Sequence, residues 1–455
     1  MIPPKPATRP RRVRLWRYLR LFRQDILASQ PAHLYRARMA EFRTPFFRSY
    51  LINEPHLIDL LLKERPRDFP KSGRIAEGLR PLLGGSVFLT NGAVWERQRR
   101  IIDPAFEGGR LRDTFPAMWD AGTAAVARLG PRADGTPVEI EAETSHAAAD
   151  VIFRTLFSIP ITHHLATEVF ARFRAYQRRQ PLLNLAAFIP LPRWLPRFHA
   201  RATRQNARAI RALIERLTAE RMAAICEGRA PDDLATKIMT TRDPETGETF
   251  DTAEMVDQVA IFFLAGHETS ASALAWALYL VAASPEWQEK AAAEAAAVLG
   301  DTPDFAAVAR LTVTRDIFRE ALRLYPPVPM MVRETTRPER FRDRNIAPGA
   351  QIVLSPWHLH RHERHWQNPD AFDPGRWATE EGRASARCAW LPFSAGPRVC
   401  TGAGFAMIEG PLLLAMILRA FRLSTVPGHA PVPVAHLTVR ARDGIHLALT
   451  PRQSG

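Results

Sequence analysis

The sequence predicts a mainly α protein with small β-sheets, and three observations carry that expectation. Apolar residues recur at helical spacing at 54–65, 93–104, 143–158, 164–179, 201–227 and 404–421. One candidate helix, from about 252 to 283, spans roughly 48 Å at 1.5 Å per residue, enough to cross a domain. Strand signals are few and short.

In chain order, residues 11–24 are basic and interrupted by arginine, which suits a solvated arm or a first helix, with a basic interfacial helix as the alternative. FRSYLI at 47–52 reads as a strand and EPHLIDLLLKER at 54–65 as a helix. Asp251 is a candidate N-cap for the longest helix, with Glu254 in capping-box position, and Ser284-Pro285 marks its end. AAAEAAAVLG at 291–300 consists of strong helix formers. QIVLS at 351–355 reads as a strand, and 437–449 as a hairpin turning at Asp443-Gly444. There is no internal repeat, and proline punctuates the chain rather than clustering. We expect residues 1–29 to form a basic N-terminal arm or first helix and residues 30–455 a single domain.

With 46% apolar and 24% charged residues, the 455-residue chain is not disordered, fibrous or a small disulfide scaffold. Its net charge of +15 invites nucleic acid, a membrane surface or an acidic protein as partner. Only five of the 62 basic residues are lysine. Three dispersed cysteines, Cys226, Cys388 and Cys400, fit a reducing compartment. The N-terminus lacks a signal-peptide core. The apolar tract 259–283 carries His267, Glu268, Thr269, Ser270 and Ser272 at its centre, which argues against lipid exposure. These features predict a soluble, cytoplasmic protein without a transmembrane segment.

The chemistry is concentrated at 393–402, Phe-Ser-Ala-Gly-Pro-Arg-Val-Cys-Thr-Gly. One cysteine lies in a glycine-bearing loop just before a helical run. A helix N-terminus and the nearby Arg398 are expected to favour thiolate. Gly396, Gly402 and Gly404 permit close approach to a flat ligand. A thiolate accepting backbone N–H bonds is a suitable axial ligand for haem iron.

This segment resembles the haem-binding loop of the cytochrome P-450 superfamily, Phe-x-x-Gly-x-Arg-x-Cys-x-Gly. Ser394 stands where glycine is usual and Thr401 where an aliphatic residue is usual. Further resemblances are Glu320-Ala-Leu-Arg323, followed by LYPPVP, and Phe372-Asp-Pro-Gly-Arg376-Trp, in which Gly375 replaces a usual glutamate. Ala265-Gly266-His267-Glu268-Thr269-Ser270 resembles the oxygen-activation motif, and Trp95-x-x-x-Arg99 the propionate-binding one. Gly266, Thr269 and Ser270 are expected to open a local groove in their helix.

The resemblance implies a soluble, bacterial-type haem-thiolate monooxygenase, with a long central helix across haem b (iron protoporphyrin IX). Cys400 would be the iron's axial ligand, with Phe393, Gly396, Arg398, Gly402 and Ala265 around the cofactor. Trp95, Arg99, Arg333 and Arg398 would serve the propionates. Glu320, Arg323 and Arg376 would form a locking triad. Thr269 and Glu268, with Gly266, would handle dioxygen and protons. Ile261, Phe262, Val328, Met330, Met331 and Leu437, with the greasy segment 181–196, would meet a hydrophobic substrate such as a fatty acid or terpenoid, to be hydroxylated or epoxidised.

Electrons would come from an external acidic redox partner, a ferredoxin or flavodoxin with its reductase, docking near Arg97, Arg100 and Arg387. No nucleic-acid module is visible. The alternatives are an electron-independent haem-thiolate isomerase or peroxygenase, and a non-catalytic basic binding protein. His358, His360, His362 and His365 read as adventitious surface histidines rather than a metal site.

Overall fold

A computed structural model describes residues 1–43, 48–179, 201–435 and 437–452. Phe47 and the segment 181–196 lie outside the described residues. The architecture is mainly α, arranged around one helix, Thr252–Ala282. Its start is the predicted capping box: Asp251 accepts the Glu254 N–H at 2.7 Å, and Glu254 accepts the Asp251 N–H at 3.1 Å. The chain turns at Ala283 and Ser284, and Pro285 opens the next helix, Pro285–Val298.

Apolar residues surround the long helix on nearly every side, so it is packed by Ile140–Phe157, Arg201–Cys226, Thr312–Leu324 and Ala403–Ala420. The closest approach is to Ile140–Phe157. A side chain at Gly266 would collide with Ile152, so this glycine lets the two helices meet. The helix runs without interruption through Gly266, and the expected opening of its hydrogen-bond ladder is not observed.

A four-stranded sheet has the order Met39–Arg43, Arg48–Ile52, Gln351–Leu354, Met331–Glu334. Arg48–Ile52 runs parallel to Gln351–Leu354, and the other pairs are antiparallel. This sheet, Leu57, Leu61, Trp366, Trp377 and Leu391 form a second hydrophobic core beside the main helical one. A bridge between Lys71 and Arg333 brings the loop after Phe69 to the sheet's edge, which positions the site described below.

Several expectations are corrected. The 437–449 hairpin does not form. Asp443-Gly444 does make a turn, with Gly444 at φ 77°, but its flanks join different sheets. Val439–Ala441 pairs with Pro433–Ala435, whereas His446–Pro451 pairs with Pro137–Glu139 and Phe421–Thr425. The helix expected at 54–65 is α-helical only over Pro55–Asp59 and widens to a π-helix over Leu60–Glu64.

Of the two forms expected for the N-terminal segment, the structure has the first helix, and residues 1–9 before it lie against the body. The Met1 carbonyl accepts the Phe372 N–H at 2.9 Å, the Tyr325 hydroxyl donates to Pro4 at 2.7 Å, and Lys5 pairs with Asp370. A helix follows at Leu15–Gln24.

Histidines 358, 360 and 362 are buried, not on the surface. His358 bonds the Ser355 hydroxyl at 2.8 Å, and His362 meets the Ala37 carbonyl at 3.2 Å. His360 accepts the Leu391 N–H at 2.7 Å while its other nitrogen meets the Arg323 carbonyl at 3.2 Å. Burial lowers the pKa of His358 and of His360 to about 3, so both are neutral braces. No cluster of three metal-binding side chains occurs among the described residues.

Arg97 and Arg100 are also committed inside the chain. Arg97 pairs with Glu254 at 2.6 Å, and Arg100 with Asp243 at 2.9 Å and Glu245 at 3.0 Å. The hydrogen bonds from Arg100 hold the Asp243 carboxyl well below the usual carboxylate range. Reversing either charge would break the Asp243–Glu254 segment's attachment, so neither is a free docking residue. Arg387 remains exposed and pairs only loosely with Glu380.

Among the described residues, one helix, Ala403–Ala420, has the length and apolar composition of a membrane span. It packs against the long helix and Thr312–Leu324, with Leu412, Leu413 and Leu414 buried, as a core helix does.

Candidate active site

The cysteine loop is held by backbone geometry. The Cys400 N–H donates to the Phe393 carbonyl at 2.8 Å, closing the loop, and Ala403 N–H returns to the Cys400 carbonyl at 3.2 Å as the helix begins. Gly396 has φ 66°, and a side chain there would strike the Leu62 carbonyl in the π-helical turn. Residue 396 is therefore glycine for both conformation and contact.

Ser394, where glycine is usual in the resemblance, has φ 62°, and its buried hydroxyl has no hydrogen-bond partner. A left-handed non-glycine residue costs about 1–2 kcal/mol. Ser394→Gly is expected to raise the melting temperature by about 1–2 °C, the shift that ~1 kcal/mol gives in a long chain.

The Cys400 side chain is accessible, yet protein encloses it closely. Burial pushes its thiol pKa up, opposed by the Gly402 N–H and by Arg99. This reverses the direction expected from the sequence. Burial outweighs the helix terminus, and Arg398 is turned to the Pro66 and Phe69 carbonyls at 2.6 and 3.2 Å.

The triad forms as expected. Arg323 holds Glu320 with two bonds of 2.8 and 2.7 Å, and Arg376 adds a third at 2.9 Å. Arg323 also donates to the carbonyls of His360, Pro369 and Ala371 at 2.6–2.9 Å. Burial alone would raise the Glu320 pKa, but Arg323 and Arg376 hold it below the ordinary carboxylate value. His360 links Arg323 to Leu391, so the triad is tied to the strand of chain leading into the cysteine loop. Gly375 leaves this network complete.

Four cations converge around Trp95. Lys71, Arg99 and Arg398 lie 5.5, 5.8 and 5.2 Å from its ring centre, and Arg333 is joined to Lys71 by the bridge. Arg99 is partly spoken for, by Asp103 at 2.8 Å and the Val399 carbonyl at 2.7 Å. The buried Nε atoms of Arg333 and Arg398 have no partner. Burial, with Arg398, Arg333 and Arg99 nearby, pushes the Lys71 pKa down to about 6.

So many crowded cations with orphaned donors fit an anionic ligand, and two propionates supply that charge. The residues present therefore fit haem. Lys71 was not singled out as a site residue from the sequence. Its only signal was the tetrapeptide Phe-Pro-Lys-Ser, in which nothing local points at Arg333.

On the long helix, Phe262, Ala265, Gly266 and Thr269 form the less buried stripe, with Ala265 exposed in mid-helix. Thr269 donates its hydroxyl to the Ala265 carbonyl. Ile261 lies off this stripe, packed in the main core. Phe262 meets Phe106 with the rings tilted at 54° and their centres 5.8 Å apart. Val328, Met330 and Met331 are partly buried ahead of Arg333, and Leu437 is exposed next to Thr438.

Glu268 is buried and bound. Thr438 donates to it at 2.7 Å, and Arg440 pairs with it at 3.0 Å. Ser270 donates to Glu409 at 2.6 Å instead of competing for helix carbonyls.

A family model described as Cytochrome P450 matches residues 31–448. The chain belongs to the cytochrome P450 family. It is accordingly a cytochrome P450 monooxygenase, and the family implies a haem-iron cofactor. Among curated relatives, cyclooctatin synthase of Streptomyces melanosporofaciens is 32% identical over 92% of this chain and 89% of its own length. Cyclooctat-9-en-7-ol 5-monooxygenase of the same organism is 34% identical over 89% of this chain and 86% of its own. Cytochrome P450 4A11 of Homo sapiens is 31% identical over 84% and 76% respectively. The P450 model leaves out residues 1–30, the part of the chain that holds the basic helix.

Proposed function

We propose that this P450 binds haem b through Cys400 and inserts one oxygen atom from dioxygen into a hydrophobic terpenoid or fatty acid, using two electrons from an external acidic ferredoxin or flavodoxin. The cation cluster of Lys71, Arg99, Arg333 and Arg398 around Trp95, beside an accessible Cys400, carries the reading. When bound, the haem supplies dioxygen activation, with the thiolate promoting O–O cleavage. The names of the two Streptomyces relatives favour a terpenoid.

The remaining steps belong to the chain's own groups. Cys400 presents its sulfur from a loop that Gly402 N–H and the Phe393 carbonyl keep fixed. Lys71, Arg333 and Arg398 would hold the haem's carboxylates. The stripe Phe262–Ala265–Thr269 offers an apolar wall with one hydroxyl, which orients dioxygen and water. Glu268 hands protons inward: Arg440, about one-third exposed, places its carboxylate one residue from solvent. Val328, Met330, Met331 and Leu437 shape the substrate's approach. Arg387 remains among the cations available to an acidic partner, and a cytoplasmic location suits such a partner.

The test uses holoprotein with a ferredoxin and its reductase. Apolar terpenes or fatty acids are expected to shift the haem spectrum where their polar analogues do not, and product is expected only with dioxygen and both electrons. Full turnover from added peroxide without donor, or isomerisation without either, would instead establish the electron-independent reading. Thr269→Ala is expected to lower product formed per electron pair at least about tenfold, a modest loss for a proton-handling group. An unchanged ratio removes Thr269 from that role.

A further inference from the structure

The helix Leu15–Gln24 presents an outer face that no described residue covers. Residues 1–24 contain eight cations and no acidic residue, about half of the whole net charge. None of the helix's described side chains is buried. Its inner side rests on the body through Phe22, packed partly against the main core, and through Tyr18, which lies 5.8 Å from Phe22 and under Arg9 at 5.4 Å. Its outer side carries Trp16, 79% exposed, with Arg11, Arg12, Arg14, Arg17 and Arg20 exposed around it.

Those five arginines form no ion pair among the described residues. This is unusual for the chain. Of the described arginines soon after, Arg36, Arg38, Arg43 and Arg65 are paired with Glu363, Glu54, Glu41 and Asp68, and Arg48 forms no ion pair among the described residues. Where carboxylates are within reach, this protein uses them. The basic helix has none, so its counter-charge lies outside the chain.

We propose that this face docks on an anionic lipid bilayer, with the helix lying in the plane of the headgroups. The indole decides between partners. An almost fully exposed tryptophan on a helix with arginines before and after it along the axis matches an interface with apolar material beneath and phosphate above. Arginine guanidinium groups bind phosphate through two parallel hydrogen bonds, and each basic residue at an anionic membrane surface adds roughly fivefold to partitioning. Single-stranded nucleic acid is gripped by several aromatic rings in succession, and an interface with a protein places its tryptophan in a fully desolvated centre; this helix exposes one ring, Trp16, among its described residues, ringed by cations. The inference concerns residues outside the haem site and stands independently of the reaction proposed above.

The experiment is flotation of the full-length holoprotein with vesicles of equal parts phosphatidylserine and phosphatidylcholine, and with phosphatidylcholine alone. Binding is expected to the first only, and to weaken as salt rises. Arg17→Gln with Arg20→Gln is expected to lower the partition coefficient about 25-fold, at roughly fivefold per arginine. Trp16→Ser is expected to lower it severalfold and Trp16→Phe to restore most of it. All three positions are solvent-exposed, and an unchanged haem spectrum and melting temperature confirm folding of each variant. Absence of binding to either vesicle overturns the proposal. So does equal binding to both, or binding that ignores Trp16, which would assign the arginines to a soluble polyanion.

Discussion

Cys400→Ser is expected to abolish the strongly red-shifted Soret band of the reduced, carbon-monoxide-treated protein. The substitution keeps the loop's backbone bonds, from Cys400 N–H to Phe393 and from Ala403 N–H to the Cys400 carbonyl. It also keeps the cation cluster, so some haem is expected to bind through its propionates. What is lost is the sulfur. Monooxygenase turnover is expected to fall by more than about 100-fold, the upper end of what even outer-shell partners of a metal ligand command. Replacing either other cysteine, Cys226 or Cys388, is expected to leave the spectrum intact, since both lie in helices and not in such a loop.

The second large effect belongs to the triad. Arg323→Ala leaves Glu320 buried with only Arg376 as its charged partner, and strips donors from three carbonyls. Breaking a buried pair in this way costs about 3–5 kcal/mol. Because His360 ties Arg323 to Leu391, the damage is expected to reach the cysteine loop, and the variant to accumulate with little haem. Glu320→Ala should do the same by leaving two buried guanidinium groups.

The pH dependence has a definite sign. The folded Glu320 pKa lies below its ordinary value of 4.5, so the unfolded chain takes up the proton first. The triad's stabilisation is therefore present above that value and is lost as pH falls through the folded pKa. Wild-type melting temperature is expected to fall on acidification, and the Glu320→Gln variant to show a shallower fall. Equal slopes for the two proteins would separate Glu320 from acid lability.

The contrast between these residues and others explains what the sequence made legible. The cysteine loop, the Glu320–Arg323 pair and the capping box are local. Their partners lie within about ten residues, so spacing alone announces them. The Arg376 arm of the triad came through the family resemblance.

Features that depend on distant segments were lost or misread. Glu268 finds Thr438 and Arg440 about 170 residues further on. Lys71 meets Arg333 only because a bridge joins a loop to the edge of a remote strand. The Asp443-Gly444 turn was read correctly, but a turn does not say which strands its flanks will join. The histidines at 358–362 looked superficial because their composition is polar. Burial against Tyr35, Ser355 and Arg323 is a tertiary fact. Arg97 and Arg100 were given to an external partner for the same reason. Their carboxylates, Glu254 and Asp243, sit near or at the start of the long helix, roughly 150 residues away.

Cys400 as the sulfur ligand of a haem held by the Trp95 cations is the claim on which the rest depends. The reduced, carbon-monoxide difference spectrum of the haem-loaded wild-type protein tests it most directly. A strongly red-shifted Soret band that disappears in Cys400→Ser is the predicted result. A fully haem-loaded protein whose carbon-monoxide band stays at the unshifted position of a nitrogen-ligated haem would contradict it.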